Sequence, residues 1–252
     1  MVRKSINQMM RNENAHCLHN DRLDSSIASV GWHVIGVKST ACQPSFVHTI
    51  GLWQNFNHPE VICFGLPLET MHLILNDIAE LIKQGEAIQL NKPYQDFLED
   101  YLTVFIAVDP LNIKDYFGAA LAHYPDLTIP AVQFVWPDKS HRFPWDENFE
   151  PDFKRLQPLL DRNADFKFME DKNLAVFTTR QWLEEGAPII EVYHDEEGDW
   201  QFITEDWEEE DIRTVALEEI VKRDASINDL FNLDYGESAY REDHTSSWHR
   251  TA

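Results

Sequence analysis

"FVHTIGLWQNFNHPEVICFGLP", residues 46–67, is the stretch on which the reading of this chain turns. SFVHTIGLW has the β-branched and aromatic content of a strand. EVICFGL, Glu60–Leu66, is an apolar run bounded by Pro59 and Pro67, the pattern of a buried central strand. NFNHPE between them reads as a turn. Gly51 and Gly65 mark a close backbone approach or a bulge. The polar groups in this apolar setting, His48, Thr49, His58 and Glu60, have two readings. One is a pocket, in which imidazole and carboxylate could hold Zn, Fe or Mn. The other is a core, with His48 hydrogen-bonded inside it and His58 and Glu60 satisfying backbone groups. The spacing H-x9-H-x-E lacks the i,i+4 pair of a helical HExxH site, so no metal and no cofactor is assigned.

Downstream, PLETMHLILNDIAELIKQGE predicts a helix. Pro67 suits its first position, and Glu69 lies in the positive first turn. Met71, Ile74, Leu75, Ile78, Leu81 and Ile82 form one apolar face, with Lys83 in the last turn and Gly85 as a left-handed cap. Upstream, GWHVIGVKS (Gly31–Ser39) predicts a strand. Tyr101–Asp109 and IPAVQFVWP predict two more, with Asp109 and Pro110 opening a helix between them that ends before Pro125. Prolines break up residues 137–172, where Phe143, Trp145 and Phe149 are expected to pin an irregular segment.

The C-terminal region opens with a strand, LAVFTT. Thr178 and Gln181 match a capping box for a short helix over Arg180–Glu185. A hairpin follows, Ile189–Tyr193 and Trp200–Thr204, turning at Glu197-Gly198-Asp199. Thr214 is expected to cap an amphipathic helix carrying Leu217, Ile220 and Val221, and Ser226 a further turn. The tail reads as irregular. The expected class is α+β: a mixed or antiparallel sheet packed by helices, then a smaller acidic α+β domain. The divisions are a polar arm at 1–30, a first domain at 31–172 and a second at 173–252.

The 252 residues carry 21 Lys+Arg against 44 Asp+Glu, a formal charge of -23. Such a surface repels nucleic acid and anionic lipid and attracts basic proteins. The charge is concentrated: Glu184–Asp211 holds thirteen acidic residues and no Lys or Arg. Aromatics interleave with it. Trp182 and Trp200 are expected in the core, whereas Trp207 and Trp248 are candidate anchors for a partner. The candidate partner-binding set is Asp195, Glu196, Glu197, Asp199, Glu205, Asp206, Trp207, Glu208, Glu209, Glu210, Asp211 and Trp248.

No apolar run reaches membrane-spanning length, and no apolar core of a secretory signal is visible in residues 1–30. Cys17, Cys42 and Cys63 form no CxxC pair, which suits a reducing cytosol. Cys63 sits in VICFG, where a thiol is inert; Cys42, in STACQPS, is read as more exposed and without a partner. His16-Cys17-x-His19 lacks a second ligand cluster. Phosphate-cradling glycine loops and a GxSxG elbow are absent.

Several separated motifs carry a resemblance. HTIGL, HPE, the GLP step into a helix, Gly31-Trp32-His33, Gly85-Glu86 and QFVWPD…FPWD…QPLL resemble domain-of-unknown-function family 4262 over residues 31–160. His48 stands where that family commonly has tyrosine. GAPIIEVYHDEEGDWQF, KRDASINDL and YREDHTSSW resemble immunity-protein family 33, with Asp199 in place of its usual glycine. That second resemblance implies a cytosolic bacterial protein that neutralises a toxin. The expected function is therefore occlusion of a basic surface by the acidic segment, binding rather than catalysis. The alternative is an enzyme built around His48, Thr49, His58 and Glu60.

Overall fold

The computed structural model describes residues 23–124 and 128–251. The chain is α+β and forms two compact units, each with its own six-stranded mixed sheet. Unit 1 takes residues up to Lys38 and Ser45–Asp161; unit 2 takes Ser39–Pro44 and Arg162 onward. The loop Ser39–Pro44 thus belongs to the second unit although the strands it joins belong to the first.

In unit 1, residues 23–30 are helical (α1). The sheet contains β1 (His33–Val37), β2 (Phe46–Ile50), β3 (Glu60–Phe64), β4 (Pro93–Leu98), β5 (Tyr101–Ala107) and β6 (Ala131–Val135). Their order is β1-β2-β3-β6-β5-β4, with only β3 and β6 parallel. β2, β3 and β6 are buried along their whole length, as apolar runs with covered faces must be. Helix α3 (Leu68–Lys83) packs over β1, β2 and β3. It buries Met71, Ile74, Leu75, Ile78, Ala79 and Ile82. Ala79 joins this face, while Leu81 is only half-buried. Each large side chain buried this way contributes about 1.5–3 kcal/mol. Pro67 is the cap residue before the helix, and Gly85 (φ +94°) follows its last turn.

The strand expected over SFVHTIGLW stops at Ile50. Gly51 has φ +113°, and Leu52–Phe56 is a short helix, α2, closed by Asn57 in the left-handed region. The segment after β6 is irregular, as its prolines require, with one turn at α6 (Pro151–Lys154). Two short helices, α4 (Ile113–Tyr116) and α5 (Gly118–His123), precede β6. The irregular segment is tied down by Gln133, which donates to the Pro158 carbonyl (2.8 Å) and accepts from Leu160 N–H (2.9 Å). Gly65 (φ +74°) lies so close to the Leu156 backbone that a Cβ would overlap its carbonyl. Gly65→Ala is expected to lower the unfolding free energy by about 2 kcal/mol or more. Urea denaturation of the full chain checks this, and a loss under about 0.5 kcal/mol would contradict the contact.

In unit 2 the sheet contains β7 (Ala175–Thr179), β8 (Glu191–His194), β9 (Trp200–Ile203), β10 (Ile212–Ala216), β11 (Glu237–Tyr240) and β12 (His249–Thr251). Their order is β10-β7-β9-β8-β11-β12. Val176, Val192, Trp200, Phe202 and Ala239 are buried, together with Leu217, Ile220 and Val221 of helix α7 (Leu217–Arg223). Thr214 does not cap α7. It lies inside β10, paired with Phe177, and Ala216 precedes the helix. The short helix at Gln181–Glu185 is a π turn. Thr179, not Thr178, supplies its hydroxyl, accepting from Trp182 N–H at 3.3 Å. Asp224 rather than Ser226 caps the following 3-10 turn, accepting from Ser226 N–H. The tail is not irregular throughout: it supplies β11 and β12.

Candidate functional site

The four polar residues of the opening stretch divide in the structure. Thr49 and Glu60 meet. Glu60 is fully buried. It accepts Thr49 Oγ1–H at 2.6 Å, Gly51 N–H at 2.9 Å, Trp53 N–H at 3.1 Å and Tyr124 O–H at 3.2 Å. Gly51 and Trp53 sit at the start of α2, where N–H groups have no helical acceptor, so Glu60 caps that helix from another strand. Thr49 Oγ1 in turn accepts Val61 N–H at 2.8 Å, next to the point where the β2–β3 ladder ends. Burial raises the Glu60 pKa, against the pull of these four donors.

His48 is buried elsewhere. Its Nδ1 bonds to its neighbour's carbonyl, Thr49 O (3.1 Å), and its ring packs on Phe46 and Phe117. Burial pushes its pKa down to about 4, so it is neutral. His58 Nδ1 bonds to the Pro59 carbonyl at 2.8 Å and is lowered too, by burial. Cys63 is fully buried and burial raises its thiol pKa, which keeps it protonated. His16, Cys17 and His19 lie outside the described residues.

Two acids of the acidic segment, Asp195 and Glu196, line a cavity of about 510 Å3 on unit 2. Tyr193, Asp195, Glu196, Gln201, Trp207 and Glu237 line it, and no Lys or Arg does. It lies on the face of the sheet where Phe177, Gln201, Tyr193 and Ser238 stand side by side in register. Trp207 is 40% exposed and Tyr193 39% exposed. Glu205, Asp206, Glu208, Glu209 and Glu210 are exposed around Trp207. Asp195 builds the hairpin turn, accepting from Glu197 and Asp199 N–H, and those amide donors hold its carboxyl below the usual range.

Two members of the expected surface set are occupied. Asp211 accepts from Arg180 (3.0 Å) and Gln181 (2.7 Å), and the Glu208 N–H completes its shell. Trp248 lies under the Arg241 guanidinium (4.4 Å) and donates to Ser226, so it holds the tail in place. Trp182 and Trp200 are core residues, 2% and 1% exposed. Among the described residues, Arg180 pairs with two of the thirteen acids, Glu185 and Asp211, which leaves most of the charge without an internal counterion.

A third cluster was invisible in the sequence. Cys42, read as exposed, is 2% exposed and lies 3.5 Å from His194 Nδ1. Glu170 completes the group, with one donor atom of each residue within 4.8 Å of the others. Glu170 Oε1 accepts from Trp200 Nε1 at 3.3 Å; its Oε2 is buried and has no hydrogen-bond partner among the described residues. His194 is fixed by stacking on Trp200 (4.0 Å) and by the Leu233 carbonyl, 2.8 Å from Nδ1.

No helix of the described residues is long and apolar enough to cross a membrane. Comparison with curated proteins and with solved structures finds no match. The expected likeness of residues 173–249 to immunity-protein family 33 is not shown by these comparisons. The family model described as Domain of unknown function (DUF4262) matches residues 26–150, the region holding β1 to β6 and the Thr49–Glu60 pair. Over residues 26–150 this chain is therefore a member of the DUF4262 family.

Proposed function

We propose that unit 2 is a binding module whose acid-rimmed sheet face docks on a basic protein. The observation that carries the reading is the cavity of about 510 Å3, lined by acids and by exposed Tyr193 and Trp207, with no Lys or Arg in its wall. Large aromatic side chains supply buried contact area at low entropic cost, and uncompensated carboxylates around them select a cationic partner. The unpaired acids of the Glu205–Glu210 loop extend the field and speed encounter. In this reading the partner is a toxin with a basic active-site surface, neutralised in the cytosol by occlusion.

The test is capture of the toxin encoded beside this gene on immobilised full chain, followed by titration at rising salt. Affinity is expected to fall at least about tenfold between roughly 0.1 and 0.5 M salt, because rim charges are screened over that range. Reversing Glu208, Glu209 and Glu210 to lysine is expected to slow association about tenfold or more while dissociation changes little. Trp207→Ala is expected to act on dissociation instead, weakening binding about tenfold or more. Binding indifferent to both salt and charge reversal would overturn the reading.

A second reading, an enzyme centred on His48, Thr49, His58 and Glu60, is less well supported. Glu60 already has four donors, and His48 and His58 each bond to an adjacent carbonyl.

A further inference from the structure

We propose that Cys42, Glu170 and His194 form a divalent transition-metal site in unit 2, with Zn2+ as the ion that fits its donor set. The three donors come from the loop Ser39–Pro44, from the segment before β7, and from the end of β8. Thiolate, imidazole and carboxylate are the donor types zinc takes together. With Zn–S about 2.3 Å and Zn–N about 2.0–2.1 Å, adjacent ligands on a tetrahedral zinc stand about 3.6 Å apart. Cys42 Sγ and His194 Nδ1 are 3.5 Å apart.

Three further features point to a cation. Glu170 Oε2 is a buried carboxylate oxygen without a hydrogen-bond donor among the described residues. The Cys42 thiol is buried, and the Glu170, Asp234 and Glu237 carboxylates stand around it. Those carboxylates are a cost to a thiolate alone and an attraction to a divalent ion. Finally, His194 is already oriented by the Trp200 stack and by Tyr235 set edge-on at 4.7 Å. Preoriented imidazole is what a metal site requires.

On binding, the Cys42 thiol releases its proton to solvent and Sγ bonds the ion. The ion takes the place of the proton that Nδ1 shares with the Leu233 carbonyl; that proton passes to solvent while Nε2 takes one up from solvent, so the ring stays neutral. Thiolate and carboxylate then balance the ion's two positive charges. The site ties Ser39–Pro44 into unit 2, so its consequence is stability of that loop. This inference does not depend on the docking face proposed above.

The experiment uses the full chain, stripped with chelator and titrated with Zn2+ and, separately, with Co2+. The expected result is one ion per chain, a thiolate-to-cobalt charge-transfer band, and a higher melting temperature with Zn2+. Cys42→Ser is expected to abolish the charge-transfer band and weaken binding about a hundredfold, whereas Cys63→Ser leaves both unchanged. If Cys42→Ser does not fold, Glu170→Gln serves, since it keeps the acceptor for Trp200 and loses the charge; a tenfold or greater weakening is expected. Absence of the charge-transfer band in the wild type, or unchanged affinity in the variant that folds, overturns the site.

Discussion

Glu60→Ala is expected to lower the unfolding free energy of unit 1 by about 3–5 kcal/mol, the cost of taking the shared acceptor from several buried donors. The carboxylate satisfies four donors at once: the Thr49 and Tyr124 hydroxyls and the N–H groups of Gly51 and Trp53. Truncation takes this acceptor from all four. An orphaned buried donor costs about 1–3 kcal/mol, partly recovered by relaxation. Glu60→Gln discriminates the cause. Its amide oxygen can still serve Gly51, Trp53 and Tyr124, which all address Oε1. Its NH2 then meets Thr49 Oγ1, which already accepts Val61 N–H and must find another place for its own proton. A loss of about 1–2 kcal/mol is expected for Gln, and about the same for Thr49→Val. The double variant Glu60→Gln/Thr49→Val should cost less than the sum of the two, since the conflicting group is gone. Denaturant titration of the four proteins measures this. Strict additivity would show that Thr49 and Glu60 do not act as a pair.

The same residues show how far the sequence could be read. Helix α3 was legible because its 3.6-residue apolar period coincides with Pro67 at its start and Gly85 after its end. β3 and β6 were legible because strands covered on both faces are written as largely apolar runs, here with Glu60 and Gln133 as the polar exceptions. Helix α2 was not. LWQNF has strand-like composition, and what makes it helical is a left-handed Gly51 and a carboxylate nine residues away. β10 and β12 lie at the two edges of their sheet, and their half-exposed or exposed side chains show no alternation. Thr214 therefore read as a cap when it is a strand residue. Among the candidate site residues, Thr49 and Glu60 were named with His48 because they are close in the chain. Side-chain direction separates them, and direction changes with every residue along a strand. Cys42 had no visible partner because His194 is 152 residues away. Local pattern carries no information on such a pair.

Protonation of His48 gives the second large effect. Its imidazole is 1% exposed, and burial lowers its pKa from 6.5 to about 4, with the Thr49 carbonyl opposing and His33 adding a little in the same direction. The unfolded chain therefore binds a proton on this residue at a higher pH than the folded chain does. Between pH 6.5 and 4 the unfolded state holds more protons, so stability falls as the pH falls. His48 contributes stability that is whole above pH 6.5 and is lost as the pH drops through about 4. The full swing is about 3 kcal/mol, from the fall in pKa at about 1.36 kcal/mol for each factor of ten. The acids that make up the rest of the charge respond over the same range, so the measurement is a difference between wild type and His48→Phe. Phenylalanine keeps the packing on Phe46 and Phe117 and gives up the bond to the Thr49 carbonyl. At pH 7.5 the wild type is expected to be more stable than the variant by about 1 kcal/mol, the worth of that bond. At pH 4 the order is expected to reverse, with the variant ahead by about 2 kcal/mol. A difference that stays constant from pH 7.5 to 4 would mean that His48 takes up its proton as readily in the folded protein as in the unfolded one, and that its neighbours admit water.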